Sequence, residues 1–269
     1  MYNKNILRGG EIKIKKLIIN ADDFGYSQAV NLGIAKSHTN GVLTSTTLMA
    51  NMQGTNHAIE LSKSLPNLAV GIHLTLTCGK PILKKGVSSL IKDTGDFYKL
   101  NEFEKGIPKI DLDELYNEWK AQIEKLVLAG INLSHIDSHH HIHTFKEYKE
   151  VVEVLSKEYN LPVRNCNSIE NDSEINFLDL CNYGTIRDMN LKYESARKEC
   201  FQIIEANILK NIKFEKSEAM CHPAFVDTPL FEGSSFNIAR MREVDILCDP
   251  YMKELINKYD IKLCNYKNI

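Results

Sequence analysis

Short apolar runs that alternate with helical segments constrain this chain more than any other feature of its sequence. Lys15-Lys16-Leu17-Ile18-Ile19-Asn20 reads as a buried first strand that runs out into Ala21-Asp22-Asp23-Phe24-Gly25. Ser27 then offers a side-chain oxygen to cap a helix that continues to about Asn40, with Gly41 as its stop. A β-branched strand over 44–49, a helix over 57–64 closed by Pro66, and a third strand over 68–74 follow in the same rhythm. From Cys78 to Lys109 the periodicity lapses, and Gly79, Pro81, Gly86, Gly95, Gly106 and Pro108 mark a loop insertion at about 78–110. Loops of that length inside a compact domain are usually functional, so this one is expected to form a wall or lid over a pocket.

The rhythm then resumes. Leu115, Trp119, Ile123, Leu126 and Val127 form one stripe of a helix over 112–129 that stops at Gly130. A histidine-rich fourth strand, a helix over 148–159 and a short fifth strand at Pro162-Val163-Arg164 come next. Polar residues dominate between Asn165 and Asn190 and give no firm assignment. A helix over 192–209, a strand over 219–222, a helix over 243–259 and a last strand over 261–264 complete the pattern. Alternation of this kind implies parallel βαβ units and an α/β fold. The expected architecture is an irregular, TIM-barrel-like (β/α) barrel in a single domain, since such barrels commonly take ~250 residues. A doubly wound open sheet competes, but the first turn has no G-x-G-x-x-G. Residues 1–13 are polar and basic with a break at Gly9-Gly10, and are expected to be a frayed extension of a domain over 14–269.

Composition narrows the partners. A formal net charge of -2 leaves no basic excess for a nucleic-acid surface and favours small uncharged substrates. Seven scattered cysteines without a C-x-x-C pair read as reduced thiols of a cytoplasmic protein. No apolar run approaches the ~20 residues of a membrane span.

Chemistry concentrates in His135-Ile136-Asp137-Ser138-His139-His140-His141-Ile142-His143, which holds five of the nine histidines. Neutral imidazole is the commonest transition-metal ligand, so the stretch reads as part of a metal site rather than a merely polar loop. As a strand it would set His135, Asp137, His139, His141 and His143 on one face and His140 on the other. Asp22-Asp23, His73 and His222 also fall at carboxyl ends of expected strands, the face where barrel enzymes build their sites. Each alone also fits a turn or a hydrogen-bonded core residue. Together they offer one carboxylate and two imidazoles, the O,N,N ligand set of a catalytic divalent metal with positions left for water and substrate.

Four segments carry a resemblance: Asn20-Ala21-Asp22-Asp23-Phe24-Gly25, Gly71-Ile72-His73-Leu74-Thr75-Leu76, the histidine stretch, and Met220-Cys221-His222-Pro223-Ala224-Phe225. In sequence and in order they resemble the signature segments of the YdjC family of carbohydrate deacetylases, closest to its chitooligosaccharide branch. The resemblance runs from about Lys16 to the C-terminus and departs mainly in residues 1–13. It implies an irregular (β/α) barrel, a bound Mg2+ or similar divalent ion held by Asp23, His73 and His139, and removal of an acetyl group from chitin-derived disaccharides and short oligomers. It also suggests a homodimer.

Within that expectation Asp22, beside ligand Asp23, is the candidate general base, and His222 the candidate acid for the departing amine. In other metal-dependent polysaccharide deacetylases, too, the first Asp of such a pair is the base. Asp137, His141 and Arg164 are expected to support the ligands or contact substrate. Phe97, Tyr98, Phe145 and Phe225 are expected to offer apolar faces to sugar rings. Zn2+ is the alternative ion, because two imidazoles suit it. Two other functions fit less well: cleavage of a different small substrate such as a phosphoester, which would call for basic residues around phosphate, and sugar or metal binding without turnover, which would leave the Asp pair without a purpose.

Overall fold

The computed structural model describes residues 15–106, 108–165, 175–180, 186–211 and 214–269. The expected extension over 1–13 and much of the 165–190 stretch lie outside the described residues. Among the described residues seven strands form one sheet: β1 (Lys15–Phe24), β2 (Ser45–Leu48), β3 (Ala69–Leu74), β4 (Ile136–Ser138), β5 (Ile175–Asp179), β6 (Lys216–Cys221) and β7 (Ile261–Cys264). Every strand pairing is parallel, and neighbours run β4-β3-β2-β1-β6-β5, with β7 also on β1. The sheet curls into a half-barrel with helices around it, the expected barrel-like α/β architecture of a single domain.

β1 is the organising strand. Its last eight residues are all buried, as in a parallel strand covered on both faces. One edge pairs with β6 from Lys16 to Ala21. Lys15 to Ile18 pair with β7, and from Asn20 onward β1 pairs with β2.

The helices α1 (Gln28–Thr39), α2 (Thr55–Lys63), α4 (Leu112–Leu128), α5 (Lys149–Tyr159) and α6 (Tyr193–Asn211), with the short α3 (Leu100–Glu104) and α7 (Thr228–Gly233), follow the sequence signals closely where those existed. The Ser27 hydroxyl accepts from the Val30 N–H, as its position predicts. Gly33 lets α1 lie against the chain after β6, because a Cβ there would stand 2.5 Å from Ala224 Cα. Among the described residues no helix is long and apolar enough to cross a membrane.

Three local expectations change. The helix expected over 243–259 is two, α8 (Arg240–Cys248) and α9 (Pro250–Lys258). Pro250 has no N–H to continue α8 and drives Asp249 into extended backbone, from which the Asp249 carboxylate caps α9 at Tyr251 N. The fifth strand expected at 162–164 is a single bridge between Val163 and Ile136, and β5 lies instead at Ile175–Asp179, in the stretch left unassigned. The histidine stretch is a strand only as far as Ser138. It then tightens into a 3₁₀ turn over His139–Thr144, with His140 (φ 58°) and His141 (φ 53°) in the left-handed region.

The insertion is built onto α4. Glu118 accepts from the backbone N–H groups of Ile82 (2.9 Å) and Leu83 (3.0 Å), and Glu114 from that of Ser89 (2.7 Å). Val87, Leu90, Phe97 and Phe103 from this segment are buried in the core.

Candidate active site

The site begins with an irregularity in β1. Its register against β2 slips between Ala21 and Phe24, and Asp23 takes a left-handed φ of 69°. In an even strand consecutive side chains face opposite ways. Here both Asp22 and Asp23 are buried among polar partners at the carboxyl end of the sheet.

Asp23 meets two imidazoles. Its Oδ1 lies 2.9 Å from His139 Nδ1 and 3.3 Å from His73 Nε2, and its Oδ2 accepts from Arg240 Nη1 at 2.8 Å. Burial alone would raise the Asp23 carboxyl, but His139 and Arg240 hold it well below the usual range. β3 presents His73, whose Nδ1 pairs with Asp137 Oδ1 on the neighbouring β4 at 2.6 Å. The Thr47 hydroxyl donates to the other Asp137 oxygen at 2.9 Å. Burial disfavours a charged His73, yet Asp137 beside it, helped by Asp23 and Asp22, pushes it up to about 10.

Donor atoms of Asp23, His73 and His139 lie within 4.8 Å of one another. This O,N,N set suits a divalent cation, and the Asp137 contact fixes His73 as such ligands are commonly fixed, with its other nitrogen turned to Asp23. The donor chemistry is consistent with a divalent cation.

Asp22, His73 and Asp137 form a second such group, but Arg164 fills its cationic role. Its guanidinium grips both Asp22 oxygens at 2.6 Å and also reaches Asp137 Oδ2 (2.8 Å) and Glu218 Oε1 (2.7 Å). Burial favours a neutral Asp22 and Arg164 more than offsets it, so Asp22 stays ionised below the ordinary range. Glu218, under the same guanidinium and bonded to the Tyr266 hydroxyl, is instead raised by burial. Tyr266 stacks on His135 at 3.7 Å.

His222 follows β6. Its ring stands edge-on to Phe236 (5.8 Å, 83°), and its backbone N–H donates to the buried Glu243 carboxylate of α8. Burial pushes His222 down to about 3, so the ring is neutral near pH 7. Burial also raises Glu243, from an ordinary 4.5 to about 7. A carboxyl whose folded pKa is raised stabilises the fold below its unfolded value and loses that contribution as pH rises through the folded one. Set against Glu243→Gln, whose side chain does not titrate, the wild type is therefore expected to lose on the order of 3 kcal/mol between pH 4.5 and pH 8. Melting curves of the two proteins across that range check it, with the wild type falling by several degrees relative to the variant.

Other expected site residues scatter. His141 is half-buried, edge-on to Phe177 at 5.7 Å, beside the Arg164 guanidinium that lies over the same ring. His143 is buried between Ser138 and the Arg164 carbonyl, and His140 is bonded to Thr77. Only His139 of the stretch joins the Asp23 cluster, because the 3₁₀ turn ends the strand alternation. Phe97 is 2% exposed and belongs to the core, so it offers no face to a sugar. Tyr98 packs edge-on to Phe103, and Phe145 stacks on Tyr148. Phe225 is 40% exposed.

The sequence reading passed over Arg240, Glu218 and Thr47. Glu218 left a signal, a charged residue directly before the apolar run Ala219-Met220-Cys221, but the expected strand begins at 219, three residues after β6 does. Thr47 is two residues beyond Ser45 on the inward side of a recognised strand. Arg240 sits 217 positions from its partner and left no local signal.

The chain matches the family model described as YdjC-like protein over residues 16–258. It is 38% identical to a carbohydrate deacetylase of Clostridium beijerinckii, covering 94% of this chain and all of that protein. A carbohydrate deacetylase of Enterococcus faecalis is 40% identical, with 95% and 98% covered. A crystal structure from Enterococcus faecalis of a protein named for cellobiose-phosphate cleavage superposes with a TM-score of 0.78 at 38% identity, covering 94% of this chain and 98% of that one.

Proposed function

This chain belongs to the YdjC-like family, and from that premise we propose that it is a metal-dependent carbohydrate deacetylase that removes an N-acetyl group from chitin-derived oligosaccharides such as N,N'-diacetylchitobiose. The observation that carries the reading is the convergence of Asp23, His73 and His139 beside a second carboxylate, Asp22, that is kept ionised.

An amide carbonyl is a poor electrophile. A divalent cation held by Asp23, His73 and His139 would supply Lewis-acid polarisation and a more acidic water. Asp22, oriented by two guanidinium hydrogen bonds, serves as the base that takes the water's proton. Asp137 steadies His73 and compensates part of the local positive charge. The neutral His222 ring shares the field of Asp22 and Asp23; it receives from Asp22 the proton taken from the water and passes it to the amine nitrogen as the C–N bond breaks. His141 and the exposed Phe225 are the residues proposed to meet the sugar. A homodimer is part of the proposal, on the resemblance alone.

The named activity of the Enterococcus faecalis structure favours one other reading, cleavage of a phosphorylated disaccharide. Both buried guanidiniums of the site, Arg164 and Arg240, are engaged by carboxylates, which argues against their clamping phosphate.

The test is acetate release from N,N'-diacetylchitobiose by the purified protein, before and after chelation, with Mg2+ or Zn2+ restored. Release that stops on chelation and returns with one ion is the expected result. Cleavage of a phosphorylated disaccharide, at its glycosidic bond or its phosphoester, with no acetate from any N-acetylated sugar, would overturn it.

A further inference from the structure

Asp23 has two oxygens, and they do different things. Oδ1 faces His73 Nε2 and His139 Nδ1, whereas Oδ2 is taken by Arg240 Nη1 at 2.8 Å. Arg240 is itself braced. Its Nε donates to the Phe236 carbonyl at 2.6 Å, its guanidinium lies over the Phe236 ring at 5.3 Å, and it is 3% exposed. The same ring meets His222 edge-on.

A carboxylate can bind a divalent cation through one oxygen or chelate it through both. Chelation uses two coordination positions where one would do, and it returns more electron density to the ion. A charge-assisted hydrogen bond that commits Oδ2 removes the chelating mode and weakens the donor. The ion then keeps an open position and more of its charge for polarising a carbonyl.

We propose that Arg240 is a positioning residue that reserves Asp23 as a one-oxygen metal ligand. The proposal rests on the reading of Asp23, His73 and His139 as a metal site, but not on the identity of the substrate. Arg240 contributes by withholding a donor atom rather than by adding one. Its loss should therefore slow the reaction without weakening the hold on the ion.

The experiment titrates Co2+ into the metal-stripped full-length chain and compares wild type with Arg240→Gln and Arg240→Lys. The visible absorption of bound Co2+ falls in intensity as its coordination number rises. In Arg240→Gln the absorption is expected to drop, the Kd for Co2+ to stay equal or tighten, and kcat for acetate release to fall ~100-fold with KM little changed, about the size of effect that outer-sphere partners of metal ligands have on activity. Arg240→Lys keeps the charge without the planar fork and should fall between. An Arg240→Gln spectrum identical to wild type, or Co2+ binding that weakens in step with the melting temperature, would overturn the proposal. Should Arg240→Gln not fold, Arg240→Lys decides: lowered absorption at undiminished affinity supports it, and an unchanged spectrum overturns it. The Co2+ spectrum and affinity need no sugar, so absence of acetate release from wild type would count against the deacetylase reading alone.

Discussion

Replacing Asp22 by Asn is expected to lower acetate release by ~10²- to 10⁴-fold, the contribution a positioned general base makes. The substitution keeps the shape of the side chain, removes its charge and its capacity to hold the proton, and turns one of the two oxygens that Arg164 grips into an amide donor. Arg164 retains Asp137 and Glu218, so the guanidinium is not stranded. Asp23, His73 and His139 keep all their contacts with one another. Metal affinity and sugar binding, followed by calorimetry on the same preparation, should therefore stay within a few-fold of wild type. Release that persists at the wild-type rate would remove Asp22 as the base, and loss of metal binding would recast it as a ligand.

Arg164→Met should have the largest effect on the fold. Arg164 is fully buried, and three buried carboxylates, Asp22, Asp137 and Glu218, depend on its charge. Removing one partner of a buried ion pair typically costs ~3–5 kcal/mol, because the remaining charge is left uncompensated. For a chain of this length that corresponds to a fall of roughly 6–20 °C in melting temperature. Protonation of the stranded carboxyls can relieve part of the loss, so the deficit should be smaller at pH 5 than at pH 8. The Asp22 carboxyl, no longer held down, should also titrate higher, and any surviving deacetylation should need more alkaline conditions than wild type. A melting temperature within 2 °C of wild type at pH 8 would show that the carboxylates find another partner.

The fold was legible where the chain repeats itself. β1, β2, β3 and β6 are buried on both faces and so read as apolar or β-branched runs over at least part of their length, and their spacing by helices admits few arrangements. The site was legible to the extent that it sits at strand ends, which is why Asp22, Asp23, His73, Asp137, His139 and Arg164 could be named before their partners were known. What escaped was set by tertiary contact. β5 is five residues with polar Asn176 and Asp179 among its apolar ones, and its pairing with β6 rather than its composition defines it. His140 and His141 take left-handed backbone that alternation cannot anticipate. Pro250 was a visible helix breaker, and the continuous helix over 243–259 gave it too little weight. Arg240 reaches Asp23 only because α8 packs on α1, and nothing near either residue in sequence encodes that.

The forked pairing of β1 bears on how the protein is made. β1 leaves the ribosome early, but its edges are not filled until residues 216–221 and then 261–264 have been synthesised. Until then this long, largely buried strand has only β2 as a hydrogen-bonded neighbour, and closing so long a loop cannot be brought forward by local structure. Translation therefore exposes an aggregation-prone segment for most of its duration. Yield in a heterologous host should depend more on growth temperature and chaperone supply during synthesis than on the stability of the finished enzyme.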